Sequence, residues 1–359
     1  MTGRAIESGD WDDDEPAPLP RPDGYSEEIE LVYGGADPDV PGRVHVIALG
    51  VGDYDDPARA LRFATRDAET FATFLSEHGA QVEGELGRCH ILTDRQVSPR
   101  AIEAAFEDLR RATLGRPQDT VVLFLAGHAD ALGPEDRERF FLIMPGFPFD
   151  EAAITRDHAV RVAMANRGEL LPFGTIYAGL FHLDALQRII VVDACQAGSV
   201  RSDESVRRIG KLVDDAAFQA RTSYFLAAPS QDIPAGESPE LGHGLLTYAM
   251  LRGLGMPLGS GSGRLPIVSG LPGFDALTNA DRAPVDGFVT TGELRRFVDQ
   301  TMPMLAARFP DLALRAGVDG LPGPDPDVSS PTVGLADAGF TLLRLPEGPV
   351  LPSSAPAEE

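Results

Sequence analysis

Residues 188–199 read RIIVVDACQAGS. Ile189 to Val192 form an unbroken apolar run, too short for a helix and bounded by polar residues. Such a run reads as a strand buried on both faces, and strands of that kind belong to parallel sheets covered by helices. The run stops at an acid, Asp193, and Cys195 follows it with Gly198 just beyond. A packing cysteine belongs inside an apolar strand. This one stands past its end, on the rim where functional loops of an open parallel sheet gather.

Working outward, RVHVIALG (43–50), CHIL (89–92), TVVLFLAG (120–127), RFFLIMP (139–145) and TSYFLAA (222–228) are further apolar runs. Helical patterns alternate with them. Leu61, Ala64, Ala68, Phe71, Ala72 and Leu75 recur at helical spacing and Gly79 marks the helix end. Ser98 and Pro99 suit the N-cap and first helical position ahead of Ile102, Ala105, Phe106 and Leu109. Thr290 and Glu293 make a capping box for a helix near 291–307, with Leu294, Phe297, Val298 and Met302 on one face. The expectation is an α/β fold with a mostly parallel six-stranded sheet and helices on both faces. AGFTLLRL (338–345) is expected to close that sheet.

Four regions differ in composition. Residues 1–40 are acidic and Pro/Gly-rich and read as a flexible arm. Residues 41–256 form the core, interrupted at 199–220 by a polar tract spotted with basic residues. Residues 257–346 are a loop-rich continuation of the same domain, and 347–359 a disordered tail.

Composition excludes several function classes. A formal net charge of −24 argues against nucleic acid as a partner, because phosphate binding needs a basic face. No stretch reaches the ~18 apolar residues of a membrane span, and the opening MTGRAIESGDWDDDEPAP lacks a secretory pattern, so a cytoplasmic protein with no membrane partner is expected. Cys89 and Cys195 are too few for a disulfide framework or a zinc site. His45, His78, His90, His158, His182 and His243 lack metal-ligand spacing, and GDYDD (52–56) alone does not supply the 6 to 8 oxygens of a calcium site. No metal and no cofactor is expected.

The chemistry converges on two residues. His128 lies about two residues beyond the strand ending near Ala126, as Cys195 does beyond the strand ending at Asp193. If those strands are neighbours, ~4.8 Å apart, the two side chains meet across one cleft. A thiolate is the reactive form of cysteine, and an imidazole can take the thiol proton and pass it to a leaving group. Residues 229–232 (PSQD) follow the next strand and would join them; Asp53 and Tyr54 are candidates for the cleft rim.

DTVVLFLAGHAD (119–130) and RIIVVDACQAGS together resemble the two catalytic segments of the caspase-like cysteine peptidases, in particular the bacterial, metacaspase-like branch. VIALGVGDY (46–54), RDAETFATFL (66–75), YFLAAPSQDIPAGES (224–238), GHGLLTYAMLRGL (242–254) and DGFVTTGELRRFV (286–298) resemble other segments in the family's order. Caspases proper carry Gln-Ala-Cys with a histidine about 50 residues upstream. Here Asp193 replaces that glutamine and the histidine lies further away.

The resemblance implies a caspase-like sandwich with Cys195 as nucleophile and His128 as acid/base. The backbone N–H groups of Cys195 and Ala129 would hold the oxyanion. Ala129 stands where the family has glycine; alanine tolerates positive φ poorly and adds a Cβ near the substrate. In the metacaspase-like branch the acid two before the cysteine faces the specificity pocket, which makes Asp193 a partner for a substrate Arg, and less well Lys. Asp232 or Glu237 could add a second carboxylate. The tract with Arg201, Arg207, Arg208 and Lys211 matches a loop that the family cuts during activation, so autoprocessing of a zymogen is expected. The partners implied are a protein substrate and a regulatory or activating protein.

Two other classes stay open. A catalytically weak caspase-like scaffold would exploit the long loops and the departure at Ala129. A nucleotide-binding module is suggested by GVGD (51, 52, 53 and the preceding Gly50), which lacks both the full Gly-x-Gly-x-x-Gly spacing and a P-loop lysine.

Overall fold

Strand β1 (Val44–Gly50) is buried at all seven positions. Side chains of a strand alternate between faces, so burial along its whole length means that both faces of the sheet are covered. The same holds in β3 (Thr120–Leu132), where Val121 to Leu125 are all buried. The computed structural model describes residues 42–79, 85–132, 139–148, 158–185, 187–196, 223–227, 237–268, 271, 274, 277–281, 285–309 and 341–344. All of them belong to one unit, Asp37–Glu359. The expected arm over 1–40, the tract 199–220 and the tail 347–359 lie outside the described residues.

Parallel pairing runs β2 (Cys89–Thr93), β1, β3, β6 (Gln187–Gln196), β7 (Ser223–Ala227). Past Ala126, where its pairing with β1 ends, β3 pairs antiparallel with β4 (Arg139–Ile143), and β4 pairs antiparallel with β5 (Leu170–Pro172). The result is a mixed sheet of seven strands. Two expectations are thereby corrected. RFFLI runs antiparallel, and the three-residue strand Leu170–Pro172 adds a seventh member too short for a periodicity to reveal. A third correction concerns the chain's last apolar run. Strand β11 (Thr341–Arg344) pairs with β10 (Phe288–Thr290) in a separate two-stranded sheet and does not close the large one.

Helix α1 (Ala64–His78) lies against the sheet through its apolar stripe, with the Phe71 ring stacked on Phe124 of β3 at 4.5 Å between centroids. Helix α2 (Pro99–Ala112) starts as its sequence dictates: the Ser98 hydroxyl accepts from Ala101 N, Pro99 occupies the first turn, and Ile102, Ala105, Phe106 and Leu109 are buried. Helices α3 (His158–Arg167) and α4 (Phe173–Phe181) flank β5. Helix α5 (Leu245–Gly253) is buried along its whole length, and α6 (Thr291–Arg308) packs on it, opened by the Thr290–Glu293 capping box. Among the described residues no helix is long and apolar enough to cross a membrane.

Candidate active site

The register between β3 and β6 pairs Phe124 with Val191, Ala126 with Asp193 and His128 with Cys195. Positions in register on adjacent strands share a face of the sheet, about 5 Å apart. Positions 128, 193 and 195 therefore share the face on which Phe124 meets α1. His128 and Cys195 do not stand beyond their strands, as expected, but within them. The antiparallel partner β4 lets β3 continue to Leu132, and β6 follows it to Gln196. For Cys195 the description is confined to the backbone.

His128 is 3% exposed and held at both ends. Its Nε2 lies 2.8 Å from the carbonyl oxygen of Arg59. A carbonyl only accepts, so Nε2 carries the proton and Nδ1 of the neutral ring is the basic nitrogen. Burial, reinforced by the Arg59 charge and opposed by that hydrogen bond, lowers the pKa of His128 to about 4, so the ring is neutral at pH 7. The backbone N–H of His128 donates to the Tyr54 hydroxyl at 2.8 Å, and the two rings contact at 4.8 Å. Gly127 makes this approach feasible. Its φ is +152°, and a Cβ there would stand 3.2 Å from the Val51 carbonyl oxygen and 3.3 Å from Tyr54 Oη.

Ala129, by contrast, needs no special backbone. It is buried in β3, in register with both Leu142 and Gln196. Asp94 is the one non-glycine residue with positive φ among the described residues. The strain expected for alanine at 129 does not arise.

Asp193 is 4% exposed, and its Oδ2 accepts from the backbone N–H and hydroxyl of Thr247 in the first turn of α5. Burial first, and the charge of Asp67 second, raise its pKa to about 7 against those hydrogen bonds and the pull of His243. Asp67, 2% exposed, accepts from Gly244 N and shares a 2.6 Å hydrogen bond with His243 Nδ1. Its carboxyl is also pushed well up, by burial and then by Glu237, against the Gly244 N–H and Arg66. Burial, and then the charge of Arg66, lower His243 to about 4. Asp67 is thus a second carboxylate beside Asp193.

Glu237, expected in that role, lies near enough that burial and then the charge of Asp193 raise its carboxyl, while its two oxygens accept from Arg62 N and Phe63 N, the donors ahead of α1. Phe63 has no capping side chain of its own, so an acid from strand β8 (Glu237–Ser238) supplies the cap. Asp232 lies outside the described residues, as do Arg201, Arg207, Arg208 and Lys211. Asp53 is exposed, with its N–H on Asp94 Oδ1. The acids of GDYDD have other work: Asp55 pairs with Arg95 and Asp56 caps the short turn Pro57–Arg59.

The pairing of Asp67 with His243 beside Asp193 was not expected from the sequence. Asp67 had a legible signal, since it falls on the same helical face as Ala64, Ala68 and Phe71, where a charge is out of place. The other cysteine, Cys89, is half-buried with Sγ 3.8 Å from the Ala72 carbonyl, and burial pushes its thiol up. His45 is a structural histidine; its Nδ1 accepts from Arg88 N and its Nε2 lies 3.0 Å from Asp119.

The sequence matches no protein-family model and no curated protein.

Proposed function

We propose that the chain is a caspase-like cysteine endopeptidase that cuts polypeptides after basic residues, Arg in preference to Lys. The observation that carries this reading is the register His128↔Cys195, joined to a His128 ring whose tautomer is fixed by the Arg59 carbonyl. Nδ1 of that ring takes the thiol proton as sulfur attacks the scissile carbonyl carbon. The oxyanion so formed is held by the N–H groups of Cys195 and Ala129. Collapse to the thioester breaks the C–N bond, and the proton passes from Nδ1 to the leaving amine. Water then attacks the thioester, giving a proton to Nδ1, and the thiol recovers it on release of the acid. A histidine neutral at pH 7 suits the first of these steps, because a neutral ring can take up a proton.

The pair Asp67 and Asp193 supports the choice of a cationic substrate. Among the described residues neither forms an ion pair with an Arg or Lys, and two desolvated carboxyls favour a guanidinium between them. Their near-complete burial supports a zymogen in which substrate reaches this floor after a rearrangement.

The test is hydrolysis of fluorogenic peptides that vary the residue before the cut bond. Arg-ended peptides should be cleaved best, Lys less well and Asp not at all, and Cys195→Ala and His128→Ala should each abolish turnover. Undiminished activity in purified Cys195→Ala protein would remove the proposal.

A further inference from the structure

We propose that Asp94 is a positioning residue for His128: its carboxylate fastens the loop whose Tyr54 hydroxyl and Arg59 carbonyl hold the backbone and the ring of that histidine. This inference rests on the reading of His128 as the acid/base. Asp94 follows β2 and adopts φ +48°, a left-handed conformation that carries a steric penalty for a residue with a Cβ. The conformation turns the side chain back on the loop after β1. Asp94 Oδ1 accepts from Gly52 N and Asp53 N, both at 2.8 Å, and the Thr65 hydroxyl of α1 lies 3.2 Å from each carboxylate oxygen.

The fastened segment is a closed loop. Leu61 N donates to Gly52 O at its base, Val51 N donates to Ala126 O beside β3, and Asp55 N donates to Pro145 O beyond β4. The Tyr54 hydroxyl and the Arg59 carbonyl that engage His128 come from inside it: Tyr54 two residues after Gly52, and Arg59 two residues before Leu61. The other loop acids do not duplicate the clamp, since Asp55 binds Arg95 on the surface and Asp56 caps its own turn. Asp94 acts at a distance from the reacting atoms. It sets where the loop sits, and the loop sets which nitrogen of His128 is protonated.

The experiment uses the full chain with ring-¹⁵N histidine and reads the His128 tautomer at pH 7, assigned by the signals lost in His128→Gln. Asp94→Gly deletes the carboxylate while suiting the left-handed backbone, and Asp94→Asn keeps one oxygen acceptor at a conformation asparagine tolerates. Wild type and Asp94→Asn should show a single Nε2–H form, and Asp94→Gly an averaged pair of signals. In peptide hydrolysis Asp94→Gly should lose kcat roughly tenfold or more with KM within about threefold, as expected when a catalytic group is misplaced, and Asp94→Asn should restore it. Should Asp94→Gly fail to fold, Thr65→Val, which removes one donor and leaves the backbone alone, should show a partial shift. A His128 signal unaltered in Asp94→Gly, or in Thr65→Val where that variant is decisive, overturns the proposal. If wild type cleaves no peptide either as the intact chain or after limited proteolysis to mimic activation, the peptidase reading falls, while the tautomer measurement still decides the role of Asp94.

Discussion

The carboxyl groups of Asp67 and Asp193 converge on the backbone of Gly244: a Cβ there would lie 2.8 Å from Asp193 Oδ2 and 3.2 Å from Asp67 Oδ2. Burial first, and then the charge of so close an acid, raise the pKa of Asp193 to about 7.

For an Arg-ended peptide, kcat/KM should therefore fall as pH drops through about 7, because protonated Asp193 cannot pair with a guanidinium. Once substrate is bound its charge keeps Asp193 ionised, so kcat should hold until His128 titrates, near pH 4. Profiles of both constants from pH 5 to 9 check this. Parallel decline of kcat and kcat/KM would count against it.

Asp193→Asn should be more stable than wild type in alkali and inactive toward Arg peptides. The folded chain holds the Asp193 proton up to about pH 7, the unfolded chain only to its ordinary 3.8. Folding is thus favoured below pH 3.8 by this group, and that contribution is lost as pH rises through 7. Asparagine keeps an oxygen for Thr247 and never ionises. Melting temperatures at pH 5 and 8 should show the variant's advantage widening at the higher pH.

Gly244→Ala should raise KM for Arg-ended peptides roughly tenfold, the scale of one misplaced methyl group in a pocket, with a smaller effect on kcat. Its Cβ pushes Asp193 and Asp67 and stays clear of the His128 hydrogen bonds. Steady-state kinetics with Arg and Lys peptides reads the split.

Tyr54→Phe takes from the buried His128 N–H its hydroxyl acceptor. A loss of about 1–3 kcal/mol in urea denaturation is expected, the cost of leaving a buried donor unsatisfied, together with reduced kcat.

Away from the site, Asp119 gathers Arg43, Arg116 and His45 around one carboxylate, which these partners hold down at about 2 against the opposing effect of burial. Its stabilisation is present above pH 3.8 and lost as pH falls toward 2. Asp119→Ala should cost about 3–5 kcal/mol at pH 7, as removal of one member of a buried ionic cluster does, and should flatten acid unfolding. Denaturant midpoints at pH 3 and 7 measure it.

Much of the fold could be read from local pattern. The six apolar runs are all strands, Ser98 and Thr290 cap the helices assigned to them, and Gly79 ends α1. Strand direction could not, because RFFLI carries no mark of its partner's orientation; the antiparallel turn back along β3 is a tertiary fact. Counting residues along two strands brought His128 and Cys195 together, but on a rim beyond the strand ends; the register sets them within the strands, on one face. The acid floor could not be read this way, since Asp67 and His243 are 176 residues apart and only folding joins them. The cap that Glu237 gives the start of α1 was hidden for the same reason: a carboxylate in a loop shows no sign of the distant helix end that engages it.

That distance has a consequence during synthesis. The partners of Asp67 leave the ribosome at residues 243–244, some ten to thirty seconds after Asp67 at ordinary translation speeds. Until then the nascent polypeptide holds its histidine and cysteine strands without the segment that shapes their neighbouring acids. The carboxyl environment of Asp193 is therefore completed only once the segment with His243, Gly244 and Thr247 has emerged.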